Sequence, residues 1–231
     1  MSIAVVCTLD TKGAEAAYLR DLIQSGGQQA ILLDVSTLGG PRCAPDIPSD
    51  KILARAGHSR SEVAKTGVRG DIVAAMADGV VLTVVDLFKE GKIDGIIGIG
   101  GNQGSAIAAA SMRALPLGFP KVLVSTVASG NIRPFVGHKD IAVMFSVSDF
   151  VGDLNVVNRS ILANAAAAIV GMVRNGKRLT PDRDRTTVAV TALGNTEKAA
   201  HRAIQLLGEA GYEPIAFHAS GAGGSGGRRW L

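Results

Sequence analysis

A glycine-rich turn between a strand and a helix is the part of this sequence best suited to bind a ligand. Residues 93–106 read IDGIIGIGGNQGSA, which predicts a buried strand, a turn and the start of an alanine-rich helix. At such a junction free backbone N–H groups lie at the positive end of the helix dipole, where a phosphate or carboxylate can bind. Glycine also lets a ligand approach the backbone closely. The candidate residues are Gly100, Gly101, Asn102, Gln103, Gly104 and Ser105.

This turn does not specify a named cofactor. It lacks the lysine and the spacing of a Walker A loop, and it misses the dinucleotide G-x-G-x-x-G pattern because position 103 is glutamine. The pattern therefore indicates an anion, and most simply a nucleotide. The alternative is a tight strand-to-helix turn that serves packing alone.

A second candidate turn, residues 8–13 (TLDTKG), follows the first predicted strand. The hydroxyls of Thr8 and Thr11 can donate to phosphate, Lys12 can neutralise it, and Asp10 can hold a metal ion or a hydroxyl. Ligands of open parallel sheets bind beyond the carboxyl ends of strands, so both turns are expected to face one crevice. The alternative is that Asp10 or Thr11 only caps the following helix. The site residues predicted here are Asp10, Thr11, Lys12 and Gly13.

A third polar turn, residues 125–131 (STVASGN), again follows a predicted strand. Its hydroxyls and glycine suit contacts with phosphate or ribose, and an ordinary polar turn is the alternative. No G-x-S-x-G elbow surrounds Ser129, so a nucleophilic role has no support. The predicted contacts are Thr126, Ser129, Gly130 and Asn131.

Other chemistry has little basis in the sequence. The four histidines stand far apart without ligand spacing, so we predict no metal site and assign no catalytic residue. The net charge of +4 is scattered and aromatic residues are only 4%, which argues against nucleic-acid binding. Two cysteines form neither a disulfide framework nor a metal pattern, as in a reducing cytosol.

Localisation is predicted from the absence of targeting features. The chain enters a strand-like run at once, without a charged leader. Its longest apolar run, residues 165–173, is too short to span a bilayer. A cytoplasmic protein without membrane contact is therefore expected.

Short apolar runs alternate with helical patterns along most of the chain. This order predicts βαβ units in an α/β fold, with a Rossmann-like, mostly parallel sheet and helices on both faces. Strands are predicted at residues 3–9, 30–35, 94–99, 121–126 and 141–146, and helices at 14–24, 49–56, 59–65, 70–90, 103–115 and 155–174.

A polar segment, residues 175–185, separates this first domain (1–180) from a second unit (186–231). The second unit predicts a strand at 187–191, a helix at 197–210 and a strand at 213–218, too little to close a core alone. We interpret it as the truncated start of a second α/β domain. Its order of elements repeats that of the N-terminus, which either internal duplication or shared βαβ architecture explains.

Several motifs together resemble one family, the Tm-one-like ATP-binding domain family of the tomato mosaic virus resistance protein. The motifs are residues 8–13, 100–105, 112–118, 124–130, 147–149, 158–159 and 162–166. The resemblance implies two α/β domains, ATP binding in the N-terminal domain, with or without Mg²⁺, and a homodimer. The ATP contacts would fall on the three turns described above.

The expected function is thus binding of ATP or a related phosphorylated small molecule at the carboxyl ends of parallel strands. Hydrolysis or phosphoryl transfer is an open extension of that activity. One alternative is a non-catalytic regulatory or protein-binding module. Another is a degenerate fragment of a two-domain protein.

Overall fold

The computed structural model describes residues 1–65, 68–177, 179 and 184–219. The chain divides into two compact units, Met1–Arg178 and Leu179–Leu231. The division falls inside the predicted polar linker. Residues 180 and 220–231, which close the two predicted domains, lie outside the described part of the chain.

The first unit alternates strands with helices. Its elements are β1 (Ser2–Cys7), α1 (Leu9–Ser25), β2 (Gln29–Asp34), α2 (Ser49–Arg55), α3 (Arg60–Lys65), α4 (Arg69–Lys89), β3 (Gly95–Gly100), α5 (Asn102–Ala114), β4 (Lys121–Ser125), α6 (Arg133–Val136), β5 (Ala142–Phe145) and α7 (Val156–Asn175).

The five strands form one parallel sheet in the order β2-β1-β3-β4-β5. This is the flavodoxin-like doubly wound order, in which successive strands are added first on one side of β1 and then, from β3 onward, on the other side. Strands β1, β3 and β4 read as nearly continuous apolar runs because helices bury them on both faces. The predicted α/β class with a parallel sheet is confirmed.

Side chains alternate between two cores, one on each face of the sheet. Ala4 and Val6 of β1 pack with buried residues of α4 and α5. Ile3 and Val5 pack on the opposite face with buried residues of α1 and α7. Helices therefore cover both faces, as predicted.

Helix α7 has the length and composition of a candidate membrane span and also packs against the sheet. Among the described residues it is the one helix long and apolar enough to cross a bilayer by length and composition. The apolar run at 165–173 is part of this longer helix. Its buried residues Leu162, Ala165 and Ile169 lie in the core beneath the sheet, so α7 is a core helix of the α/β unit.

Besides shifts of one or two residues at element ends, a helix start and a short helix differ from the sequence prediction. Helix α1 begins at Leu9 rather than at residue 14, and it is kinked at Lys12 (φ −125°, ψ 28°). Residues 9–13 are therefore the first turn of a helix and not a loop before it. The short helix α6, with Pro134 in its first turn, was not predicted because four residues show no periodicity.

The second unit is a single βαβ element in its described part. It consists of β6 (Thr187–Ala192), a 3₁₀ turn at Gly194–Thr196, α8 (Glu197–Glu209) and β7 (Glu213–His218). The two strands pair in parallel from Thr187 opposite Glu213 to Ala192 opposite His218. All three predicted elements of this unit are present.

Candidate ligand-binding crevice

An open crevice of about 410 Å³ lies at the carboxyl ends of the strands, around the reversal point between β1 and β3. Open α/β sheets bind ligands at this position. Several lining residues are predicted site residues, namely Asp10, Thr11, Lys12, Gly101, Asn102, Gln103, Gly104 and Thr126. The remaining lining residues are Thr8, Thr37, Leu38, Val127 and Asp149.

The N-terminus of α5 forms one wall of the crevice. Ser105 N donates to Gly101 O at 2.9 Å, which closes the first helical turn. The N–H groups of Asn102, Gln103 and Gly104 have no acceptor among the described residues. They are the donors that a helix end leaves for an anion.

Gly100 is required by the close approach of α5 to β3. A Cβ atom on Gly100 would lie 2.8 Å from Gly104 Cα, which is backbone and cannot rotate away. Gly101 is different, since a Cβ there would meet only Thr126 Oγ1, at 3.6 Å. Packing therefore requires glycine at position 100. At position 101 a side chain would have room on the side of the crevice.

The N-terminus of α1, in contrast, has its donors already engaged. Leu9 N donates to Asp34 Oδ1 at 3.2 Å and Asp10 N donates to Ser36 Oγ at 2.9 Å. The N–H groups of Thr11 and Lys12 both donate to Thr8 O. This turn therefore offers side chains to the crevice, while the free backbone donors belong to α5.

Asp10 does not cap its own helix. Its Oδ2 accepts a hydrogen bond from Gly39 N at 3.0 Å and so holds the loop after β2 against α1. Its Oδ1 is buried and has no hydrogen-bond partner among the described residues. The capping alternative for Asp10 is thus replaced by a bond to a neighbouring loop.

Lys12 supplies the positive charge of the crevice. Its Nζ donates to the Phe150 carbonyl oxygen at 2.7 Å and lies 5.9 Å from the centre of the Phe150 ring. The other charged lining residues are the carboxylates Asp10 and Asp149, so negative charges outnumber the ammonium group. Lys12 and the α5 N–H groups would attract an anion in this crevice. The carboxylates of Asp10 and Asp149 would repel it.

Some predicted site residues do not line the crevice. Gly13 packs on Arg42, whose Cβ would lie 2.8 Å from a Cβ at position 13. Ser105 is buried, and its Oγ lies within hydrogen-bond distance of Ser125 Oγ (2.7 Å) and Gly100 O (3.2 Å). Ser105 thus ties the start of α5 to the end of β4, and Gly13 allows Arg42 to approach α1 closely.

The end of the third predicted turn also lies outside the crevice lining. Gly130 N donates to Val127 O at 3.2 Å, and Asn131 Oδ1 accepts from Arg133 N at 3.1 Å as α6 begins. Ser129 precedes them and, like them, is absent from the crevice lining. This part of the turn leads the chain into α6.

Sequence reasoning did not select Thr37, Leu38, Val127 and Asp149. All four follow strands of the sheet, so the same carboxyl-end rule applies to them. Thr37 and Leu38 stand in an irregular segment without a strand-turn-helix pattern, which is why no local signal marked them. Asp149 belongs to the motif at residues 147–149 of the family resemblance, and its neighbouring residues form no pattern that indicates a ligand.

Cys7 adjoins the crevice but is not suited to react. It is fully buried at the end of β1, and its Sγ lies 3.7 Å from Lys12 O. Burial, with a smaller effect from Glu15, raises the pKa of this thiol well above its ordinary value. Among the described residues no group of three or more His, Cys, Asp or Glu side chains could hold a metal ion.

The fold and the crevice define the first unit as a doubly wound parallel α/β domain with a polar site at its reversal point. Residues 1–178 match the N-terminal domain of an uncharacterised protein family, UPF0261, and residues 185–226 match its C-terminal domain. The chain belongs to this family.

Relatives of known sequence agree with this assignment. A UPF0261 protein of Clostridium tetani is 40% identical over 222 residues, which cover 96% of this chain and 54% of that protein. One from Rhizobium meliloti is 37% identical with the same coverage. The tomato protein "ToMV susceptible protein tm-1(GCR26)" is 31% identical over 94% of this chain and 31% of its own length, which confirms the predicted family relationship.

The chain spans about half the length of the bacterial relatives it matches. Among solved structures, a Streptomyces glycosyltransferase, SsfS6, aligns with a TM-score of 0.28 and 12% identity, covering 94% of this chain and 67% of that one. A likeness this low supports no conclusion about fold or function.

Proposed function

We propose that the first unit binds ATP or a related phosphorylated ligand in the crevice between β1 and β3. The observation that carries the proposal is the N-terminus of α5, whose unbonded N–H groups at Asn102, Gln103 and Gly104 line a cavity that also contains Lys12. Backbone donors at a helix N-terminus and one fixed ammonium group match the chemistry of a phosphate.

The charge of the crevice favours a ligand that brings its own cation. A triphosphate facing one lysine and two aspartates lacks enough positive charge from the protein. Mg²⁺ usually binds through substrate phosphates and only one or two carboxylates. The donor set does not form a metal site by itself, so we propose that Mg²⁺ enters with the nucleotide and faces Asp10 and Asp149.

Thermal unfolding of the chain against a panel of nucleotides, with and without Mg²⁺, tests this proposal. A ligand at about 100 times its dissociation constant stabilises the folded state by about 2.7 kcal/mol. The shift should be lost in Lys12→Met and kept in Lys198→Met, which removes an exposed lysine of the second unit. If no nucleotide or sugar phosphate raises the midpoint, the crevice does not bind phosphate and the proposal is wrong.

A non-catalytic, protein-binding module is the second candidate function. Apolar side chains are exposed along the segment that contains β5, namely Ile132, Phe145, Val147, Val151, Val156 and Val157. Exposed apolar groups concentrated in one region are typical of interaction surfaces. Release of phosphate from bound ATP without an added partner would favour an enzyme, and nucleotide binding without turnover would favour the module.

We further propose that the cytoplasmic form is a homodimer in which β5 is covered. Strand β5 lies at an edge of the sheet, and its sequence AVMF has no charge or proline to protect that edge. Twofold symmetry would pair two copies of β5 in antiparallel fashion. Light scattering should give a dimer mass that falls to the monomer mass in Val147→Lys and not in Leu82→Lys; a monomeric wild type would exclude the dimer.

A further inference from the structure

The crevice has a polar centre and an apolar residue at each flank. Leu38 and Val127 carry the large apolar side chains among its lining residues, and the other lining residues are polar, charged or glycine. Leu38 follows β2 and Val127 follows β4, so they lie on opposite sides of the central β1 and β3 turns. Leu38 is 68% exposed and Val127 is 36% exposed.

Hydrogen bonds before and after Leu38 fix the backbone of its loop. Ser36 Oγ accepts from Asp10 N at 2.9 Å, and Gly39 N donates to Asp10 Oδ2 at 3.0 Å. Arg60 Nη1 adds a third bond, to Gly39 O at 3.3 Å. Leu38 is therefore presented at the rim by a fixed loop, and folding of the described chain leaves its side chain in solvent.

Polar groups connect this rim to the phosphate-binding centre. Thr37 precedes Leu38 and also lines the crevice, and Asp10 lies next to the same loop through its bond to Gly39. A hydroxyl-bearing sugar bound between the rim and the α5 N-terminus would share the crevice with the Thr37 hydroxyl. On the other flank Val127 is less exposed, and its N–H and C=O are already bonded to Ser125 Oγ and Gly130 N.

We infer that Leu38 is the contact for the base of a nucleotide, and that the site recognises a nucleotide as opposed to phosphate or a sugar phosphate alone. The inference rests on the proposed phosphate site at α5. A planar base covers an exposed aliphatic side chain and removes its surface from water, as in most small-molecule sites. The β2 flank therefore decides affinity for the base, and the central turns bind the phosphates.

Titration with ATP and with tripolyphosphate, both in Mg²⁺, separates the two contributions because only ATP carries a base. Leu38→Ala should weaken ATP binding about five- to tenfold and change tripolyphosphate binding less than about twofold. Leu38→Phe should retain ATP binding, since an aromatic ring can stack on the base. Leu82→Ala, a partly exposed leucine on α4 outside the crevice, is the matched control and should change neither ligand.

Four results would overturn the inference. Equal weakening of both ligands in Leu38→Ala would make Leu38 a support of the phosphate site, and an effect confined to Val127→Ala would move the base to the other flank. Unchanged ATP binding in Leu38→Ala and in Val127→Ala would show that neither residue contacts the base, and it would not affect the proposed phosphate site. Absence of ATP and tripolyphosphate binding to the wild type would remove the proposed function together with the inference.

Discussion

Lys12 both lines the crevice and is fixed by a bond to another part of the chain. Its ammonium group donates to the Phe150 carbonyl oxygen at 2.7 Å. An ammonium group has three donors, so two remain for a ligand when one is used. The charge is thus positioned before a ligand arrives, which lowers the cost of ordering it on binding.

Gly100 gives a test at the scale of one residue. Gly100→Ala would place a Cβ 2.8 Å from Gly104 Cα and force the first turn of α5 away from β3. We expect a loss of about 1–3 kcal/mol in the free energy of unfolding, the usual cost of overpacking. Urea denaturation measures this loss.

Gly101→Ala is the matched control for that variant. Its Cβ would meet only Thr126 Oγ1 at 3.6 Å, and the backbone of Gly101 (φ −83°, ψ −155°) is extended and open to alanine. The free energy of unfolding should stay within about 0.5 kcal/mol of the wild-type value. Equal losses in both variants would contradict the packing explanation for Gly100.

At the scale of elements, the end of β2 determines which helix N-terminus keeps N–H groups without an acceptor among the described residues. Asp34 and Ser36 accept the first N–H groups of α1, so that helix end is satisfied within the protein. The corresponding N–H groups of α5 have no acceptor among the described residues. The site is therefore asymmetric, with side chains from α1 and backbone donors from α5.

Strand β4 is tied to the segment before β5 by a buried lysine. Lys121 is fully buried and donates to Phe119 O at 2.9 Å and to Asp140 Oδ1 at 2.6 Å, while Asp140 is 44% exposed. Asp140→Ala leaves a buried ammonium without its carboxylate and should cost about 1.5–3 kcal/mol. Lys121→Met leaves a partly hydrated carboxylate that still accepts from Gly118 N at 2.7 Å, and it should cost about 1 kcal/mol or less. Denaturant midpoints of the two variants check the order, and the reverse order would contradict it.

The same lysine predicts a pH dependence of stability. Burial lowers the pKa of Lys121 below its ordinary value, although the bond to Asp140 opposes the shift. The unfolded chain then binds this proton more tightly, so stability rises with pH between the lowered folded pKa and the ordinary one. This rise should be absent from Lys121→Met when unfolding is measured at alkaline pH, and identical pH profiles for the two proteins would refute it.

At the scale of the whole molecule, both core clusters belong to the first unit. One draws its buried residues from β1 to Ile141, and the other ends at Ile169 of α7. A chain ending at residue 178 should therefore unfold cooperatively. Its thermal midpoint should lie within about 4 °C of that of the full chain, which corresponds to about 1 kcal/mol in the free energy of unfolding. Calorimetry of the two chains measures the difference. A shortened chain without a cooperative transition would show that residues after 178 are needed to fold the first unit.

Much of this fold was predictable because it depends on local patterns. The apolar runs of β1, β3 and β4 and the amphipathic helices between them predicted a parallel α/β sheet. The glycines at positions 100, 101 and 104, with Asn102 and Gln103 between them, indicated the α5 end of the crevice. The start of α1 was missed because its N-terminal bonds come from Asp34 and Ser36, more than twenty residues away.

By itself, the sequence determined the α/β class, and it indicated a boundary within residues 175–185 and polar turns at the ends of the strands. These follow from periodicity and from residue types at turns, which act over a few positions along the chain. Only the tertiary structure decided the strand order, the engagement of Lys12 by Phe150 and the exposure of Leu38 at the rim. Those features arise where segments distant in sequence meet, since the sheet brings the carboxyl ends of separate strands to one edge.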